Sequence, residues 1–159
     1  MKTSTQITIH APYTRIFELA SRVEDWGSML PHYRYVHLLK REGNRKWVRM
    51  SAWRNFIPVT WSAIETVLPG NERAPGRILF KHIKGLVRGM EVEWSFKPGA
   101  GHVLVTIAHD LQNPPFPVRI LGNRLLEVVV GHAFIGHIAG KTLRRIKELA
   151  EAETKANKA

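Results

Sequence analysis

Tyr33, Glu65, His82 and His109 are the side chains in this sequence best suited to moving a proton or orienting a polar ligand. An imidazole, with an ordinary pKa of about 6.5, takes or gives a proton near neutrality. His82 and His109 fall on the inward parity of two alternating segments, so one concave face would carry both rings. Neither has a carboxylate placed to orient it, since Asp110 takes the opposite parity from His109. A histidine satisfied by a backbone partner is the first expectation for each. Tyr33 can donate a hydrogen bond to a ligand carbonyl or to the protein itself. Glu65 shares parity with Trp61. If both face inward, an unpaired Glu65 carboxyl would have a raised pKa. If both face outward, it is an ordinary strand charge. The chemistry these groups suit is acid–base work on a carbonyl-bearing molecule, with Tyr33, His82, His109 and Glu65 as the catalytic candidates.

Other chemistries lack their residues. His132 and His137 are five apart, so they do not share a helix face as ligands at i and i+4 would. No HExxH pattern occurs and no metal is expected. Gly85-Leu86-Val87-Arg88-Gly89 reads as a hairpin turn and not as a phosphate loop, and GxSxG is absent. No cofactor is expected.

The elements that must position the candidates follow from periodicity. TQITIH alternates as a first strand. Ala11-Pro12 then opens a helix carrying Ile16, Phe17, Leu19, Ala20 and Val23 at helical spacing. Glu24 to Gly27 breaks it, and a second short turn starts at Ser28 and stops at Pro31. Strands are predicted over 33–42, 45–56, 59–68, 77–84, 89–98 and 102–111. Their links carry turn residues: Gly43-Asn44, Ile57-Pro58, Pro69-Gly70-Asn71, Gly85 to Gly89 and Pro98 to Gly101. Such short links imply hairpins and an antiparallel sheet. Parity turns Ile78, Phe80 and His82 inward, with Met90, Val92, Trp94 and Phe96, and with Val103, Val105, Ile107 and His109. The third and fourth strands stay ambiguous, because Trp47, Trp53 and Trp61 compete with aliphatic residues of opposite parity. After the stiff connector Asn113 to Pro117, an apolar stripe from Leu121 through His132 and Ile135 to Leu149 predicts a long closing helix. Gly131, Gly136 and Gly140 would let it bend, divide or approach the sheet closely. The last residues, 153–159, read as a frayed tail.

The chain of 159 residues fits a single domain. It has no apolar run long enough to span a membrane and no signal-peptide core, and it contains no cysteine. A cytoplasmic location is the expectation. The charge of +11 favours anionic partners, whether nucleic acid, an anionic membrane surface or an acidic ligand. The cations are dispersed, however, which suits a solvated surface better than a nucleic-acid face.

Four segments carry a family resemblance: ITIHAPYTRIFELASRVEDW, MLPHYRYVHLL, IKGLVRGMEVEWSFKPGAG and IAGKTLRRIKELAEAE. In this order they resemble the START-like, or SRPBCC, superfamily, and within it the polyketide cyclase/dehydrase and coenzyme-Q-binding branch. The resemblance implies an α+β helix-grip fold: a seven-stranded antiparallel sheet wrapped around a long C-terminal helix, with two short helices after the first strand. It also implies a cavity between sheet and helix. Trp26 and Tyr33 match cavity-lining aromatics of the aromatase/cyclases, and Trp94 matches their hairpin tryptophan. The arginine that assists cyclisation there has no match; Glu65 and Thr66 lie in that neighbourhood.

The expected ligand-binding set is therefore Trp26, Tyr33, Trp61, Phe80, His82, Trp94, Phe96, His109, His132 and Ile135, around a pocket of a few hundred Å³. The leading functional expectation is binding of a hydrophobic, partly polar small molecule such as a lipid, quinone or polyketide. Two alternatives stand beside it. One is a polyketide aromatase/cyclase or dehydratase-like enzyme. The other is an RNA- or ribosome-associated interaction protein, which the basic charge would suit.

Overall fold

Period-two alternation becomes the two faces of one sheet. The computed structural model describes residues 1–54, 56–113, 115–116, 120 and 136–157. Its strands are β1 (Lys2–Ile9), β2 (Tyr33–Glu42), β3 (Arg45–Arg54), β4 (Ile57–Leu68), β5 (Arg77–Lys84), β6 (Glu91–Gly99) and β7 (His102–Asp110). They form a seven-stranded sheet in the order β1-β7-β6-β5-β4-β3-β2, with every pairing antiparallel. Hairpins join neighbours from β2 to β7 in turn, and β1 adds to β7 at the far edge.

The concave face carries Val48, Met50 and Ala52 of β3, Trp61, Ala63 and Glu65 of β4, and the inward residues expected on β5, β6 and β7. Among the described residues, three short helical pieces and one long helix cover it. They are α1 (Tyr13–Ser21), a 3-10 turn (Val23–Asp25), α2 (Trp26–Met29) and α3 (Gly136–Ala156). α1 turns Tyr13, Ile16, Leu19 and Ala20 onto the sheet. The Tyr13 hydroxyl accepts the Gly76 N–H at 2.7 Å, which pins the start of α1 to the β4–β5 loop. α3 buries Ile138, Ala139, Thr142, Leu143, Ile146 and Ala150, a stripe at helical spacing.

Several boundaries differ from the sequence reading. Glu24 to Gly27 does not interrupt the helical region. The 3-10 turn carries the chain straight into α2, which begins at Trp26 and not at Ser28. The β3–β4 turn lies before Ile57, and Pro58 sits inside β4 opposite Trp53. Proline is tolerated there because the Trp53 N–H donates away from β4, to the His32 carbonyl at 2.8 Å. That pair therefore asks no donor of Pro58. α3 runs to Ala156, past the point where the sequence reads as a tail, and Arg15 pairs with Glu153 there. The predicted helical stripe from Leu121 to Ile135, with Gly131, His132 and Ile135, lies outside the described residues. Gly140 has open space where a Cβ would stand, so it does not mark a close helix–sheet approach.

The tryptophan ambiguity resolves through cations. Trp61 is buried, whereas Trp53 is 39% exposed and Trp47 is half-buried on the outer face. The Arg45 guanidinium lies 5.1 Å from the Trp47 ring and that of Arg34 lies 4.8 Å from Trp53. A cation over an indole lets it sit on a solvated face, so aromatic parity alone misleads.

Gly85 fixes how the β5–β6 turn meets β4. Its φ is +102°, and an added Cβ would stand 2.8 Å from the Thr60 carbonyl oxygen and 3.1 Å from the Trp61 Cβ. Gly85→Ala should cost about 2 kcal/mol or more in urea unfolding, because strain and backbone collision add. A change within about 0.5 kcal/mol would show that the turn relaxes freely.

Candidate functional site

The curve of the sheet and the seating of α3 leave a cavity between them. Trp26, Tyr33, Trp61, Phe80, His82, Trp94 and His109 line it, with Met50, Met90, Val92, Ile107, Ile138, Ala139 and Thr142. Each comes from a different local device. β4 turns Trp61 inward, β5 turns in Phe80 and His82, and β6 and β7 turn in Trp94 and His109. Tyr33 opens β2, directly after the α2 turn. Trp26 is held by its own indole N–H, which donates to the Leu19 carbonyl at 3.2 Å. Its ring meets Tyr33, Trp94 and Phe80 at centroid separations of 5.5, 5.6 and 5.9 Å. Trp26 is thus both a brace for the short helices and a cavity wall.

The cavity's volume is about 60 Å³. That corrects the expectation of several hundred. A site needs roughly 10–15 Å³ of this measure for one water, and drug-sized ligand pockets run to about 300–1,000 Å³. The described state holds room for a few waters and has to widen for a larger guest. Met50 and Met90 in its wall are unbranched thioether chains that re-pack easily.

Its polar groups are few and buried. His82 is 7% exposed and His109 8%, and the Nδ1 of each is buried without a hydrogen-bond partner. Burial holds the His82 imidazole down at about 3, with His109 adding to the effect, and burial alone holds His109 at about 4. Both rings are neutral near pH 7. His82 lies nearly parallel to the Trp61 ring, with centroids 6.0 Å apart. Burial raises the Tyr33 phenol well above its ordinary value, so it too stays neutral. Thr142 donates to the Ile138 carbonyl at 2.9 Å and leaves a lone pair for the His32 Nε2–H, also at 2.9 Å. Thr142 is the polar edge of the cavity, and its partner His32 stands outside the cavity walls, in a surface groove.

Two candidates stand elsewhere. Phe96 is buried under α1, against Phe17 and Tyr13 at centroid distances of 5.0 and 6.1 Å, and is not among the cavity walls. Glu65 is fully buried on the concave face but also does not reach the cavity. It pairs with Lys46, Nζ to Oε2 3.2 Å. The same ammonium donates to the Ser21 carbonyl at 2.8 Å and to Glu24 at 2.7 Å. Burial pushes the Glu65 carboxyl up to about 7, against the opposing pull of Lys46. This ion pair ties the end of α1 and the 3-10 turn to the sheet. His132 and Ile135 lie outside the described residues. Sequence reasoning passed over Met50, His32 and Thr142. Thr142 could have been found as the polar residue four positions after Ile138 on the closing stripe.

The sequence matches the family model described as polyketide cyclase/dehydrase and lipid transport over residues 9–133. No curated protein matches it. Solved structures share the fold at low identity. The Zhui aromatase/cyclase of a Streptomyces species has a TM-score of 0.75 at 18% identity, over 97% of this chain and 95% of its own. A START superfamily protein from Mycobacterium smegmatis has a TM-score of 0.70 at 15% identity, over 95% and 97%. A STAR-related lipid transfer protein from Xanthomonas axonopodis has a TM-score of 0.65 at 12% identity, over 94% and 85%. All carry a helix-grip domain of this kind.

Proposed function

Because the chain belongs to the polyketide cyclase/dehydrase and lipid transport family, we propose that it takes up a hydrophobic, partly polar molecule in the cavity between sheet and α3. The molecule belongs to the lipid, quinone or polyketide class. The observation that carries this reading is the pairing of an aromatic and aliphatic wall with two buried imidazoles whose Nδ1 atoms lack partners. A buried polar atom left unpaired is costly. A guest carrying hydroxyl or carbonyl groups satisfies such atoms while its ring or chain takes the apolar wall.

Binding suits these groups better than catalysis does. Imidazoles held near 3 and 4 are poor proton acceptors at neutral pH. Glu65, the one fully buried carboxylate among the described residues, is committed to Lys46. Among the described residues the aromatase/cyclase reading therefore finds no placed general base, and neutral His82, His109 and Tyr33 act as orienting donors and acceptors.

Titration with naphthoquinones, followed by tryptophan fluorescence, tests this. Trp26, Trp61 and Trp94 line the cavity and should report a guest directly. Saturable quenching is expected, with a micromolar Kd, on the order of −8 kcal/mol. The affinity should be nearly independent of salt, since burial supplies it. Tyr33→Phe should weaken it about fivefold, the worth of one hydrogen bond. No quenching across a varied apolar panel, with tight salt-sensitive RNA binding in its place, would overturn the proposal in favour of an interaction protein.

A further inference from the structure

One end of the sheet presents neighbouring apolar side chains to solvent beside a cluster of cations. At the β3–β4 turn Phe56 is 95% exposed, Ile57 64% and Trp53 39%. Beside them lies an open surface groove whose walls include Trp53, Phe56, His32, Lys141 and Arg144. The cations here gather around two imidazoles, His32 and His137. Lys141, Arg144 and Arg54 all depress the His137 imidazole, after its burial, and Lys141 and His137 depress His32. Arg145 pairs with Glu148. Arg34, Arg54, Lys141 and Arg144 have no carboxylate partner among the described residues.

We infer that this tip docks on an anionic phospholipid surface, with Phe56 and Ile57 inserted between headgroups and Arg54, Lys141 and Arg144 against the phosphates. Two features select a bilayer over nucleic acid. An RNA backbone has no use for an aliphatic side chain exposed at the tip, whereas the acyl boundary takes it up. A tryptophan edged by arginine matches the headgroup level, where amphipathic rings concentrate. The position adds a third argument. His32 belongs to the groove wall and hydrogen-bonds Thr142, which lines the inner cavity, so the docked face lies next to that cavity's polar edge. A membrane-borne guest would meet the protein there. This last point rests on the binding function proposed above; the docking surface itself does not.

Flotation of the full chain with vesicles tests the inference. The probes are pure phosphatidylcholine vesicles and the same vesicles with about one third phosphatidylglycerol. Binding is expected to the anionic vesicles and to fall as salt rises. Phe56→Ser with Ile57→Ser should reduce it roughly tenfold or more, through lost apolar burial. Lys141→Ala with Arg144→Ala should reduce it about fivefold per charge and flatten its salt dependence. The Phe56/Ile57 double variant should bind soluble naphthoquinone as wild type does, so failure of docking and failure of cavity binding are separable. The inference is overturned if the anionic vesicles are not bound, if the Phe56/Ile57 double variant binds them unchanged, or if single-stranded RNA at equal phosphate concentration displaces the protein from them.

Discussion

Lys46→Ala should destabilise the fold by about 3–5 kcal/mol at pH 8. Its ammonium is the charge opposite the fully buried Glu65, and it also holds the Ser21 carbonyl and Glu24. Removing it leaves Glu65 uncompensated on the concave face. The carboxyl then keeps its proton, and the sign of the pH dependence follows. A folded pKa raised above the unfolded one gives a contribution fully present below about 4.5 and lost as pH rises through the folded value. Without Lys46 the folded value rises further, so the deficit of Lys46→Ala should grow from pH 5 to pH 8. Replacing both partners, Lys46→Met with Glu65→Leu, should be neutral or stabilising, because neither charge then has to be desolvated. Urea denaturation of Lys46→Met alone, Glu65→Leu alone and the double closes the cycle. A Lys46→Ala cost below about 1 kcal/mol, the range of an exposed pair, would refute the buried-latch account.

The second large effect is expected on acidification. Burial holds His82 at about 3 and His109 and His32 at about 4, all below the ordinary 6.5. Between those limits the unfolded chain binds protons that the folded chain refuses. The stability these groups contribute is thus complete above 6.5 and is lost as pH falls towards 4. Each imidazole contributes a slope of up to about 1.4 kcal/mol per pH unit. Glu65 runs the other way across the same window and offsets about one of the three. Unfolding free energy should therefore drop by roughly 2 kcal/mol per pH unit on average between pH 6.5 and 5, most steeply near pH 5 where the unfolded imidazoles are fully protonated. His82→Leu should remove close to one proton from that slope. A stability flat from pH 7 to pH 5, in wild type and variant alike, would mean that the imidazoles are solvated or partnered in the native state.

Much of this architecture is legible in the residues. Clean alternation on β5, β6 and β7 places His82, Trp94 and His109 on one face, and turn residues separate those strands. Parity works there because one face is buried and the other wet. It fails on β3, where Trp47 and Trp53 look like core residues and are held outside by Arg45 and Arg34. It also says nothing about reach along a strand. Glu65 and Trp61 do share the inner face, but two residue pairs along β4 take Glu65 from the cavity to the end of α1, where Lys46 waits from β3. Phe96 leaves the cavity in the same way, two positions beyond Trp94 and under Tyr13 and Phe17. Cavity size is set by how far side chains such as Met50 and Met90 fill the hollow, a packing outcome no local pattern encodes.

The central claim is that an apolar guest occupies the space between sheet and α3, and its location can be read directly. Isotope-filtered NOE spectroscopy of labelled protein with unlabelled naphthoquinone reports which methyl groups the guest touches. Contacts are expected to the Met50 and Met90 ε-methyls and to the Ile107 and Ile138 δ-methyls, all of which line the cavity. Contacts confined to Ile57 and its exposed surroundings, or none at saturating ligand, would contradict it.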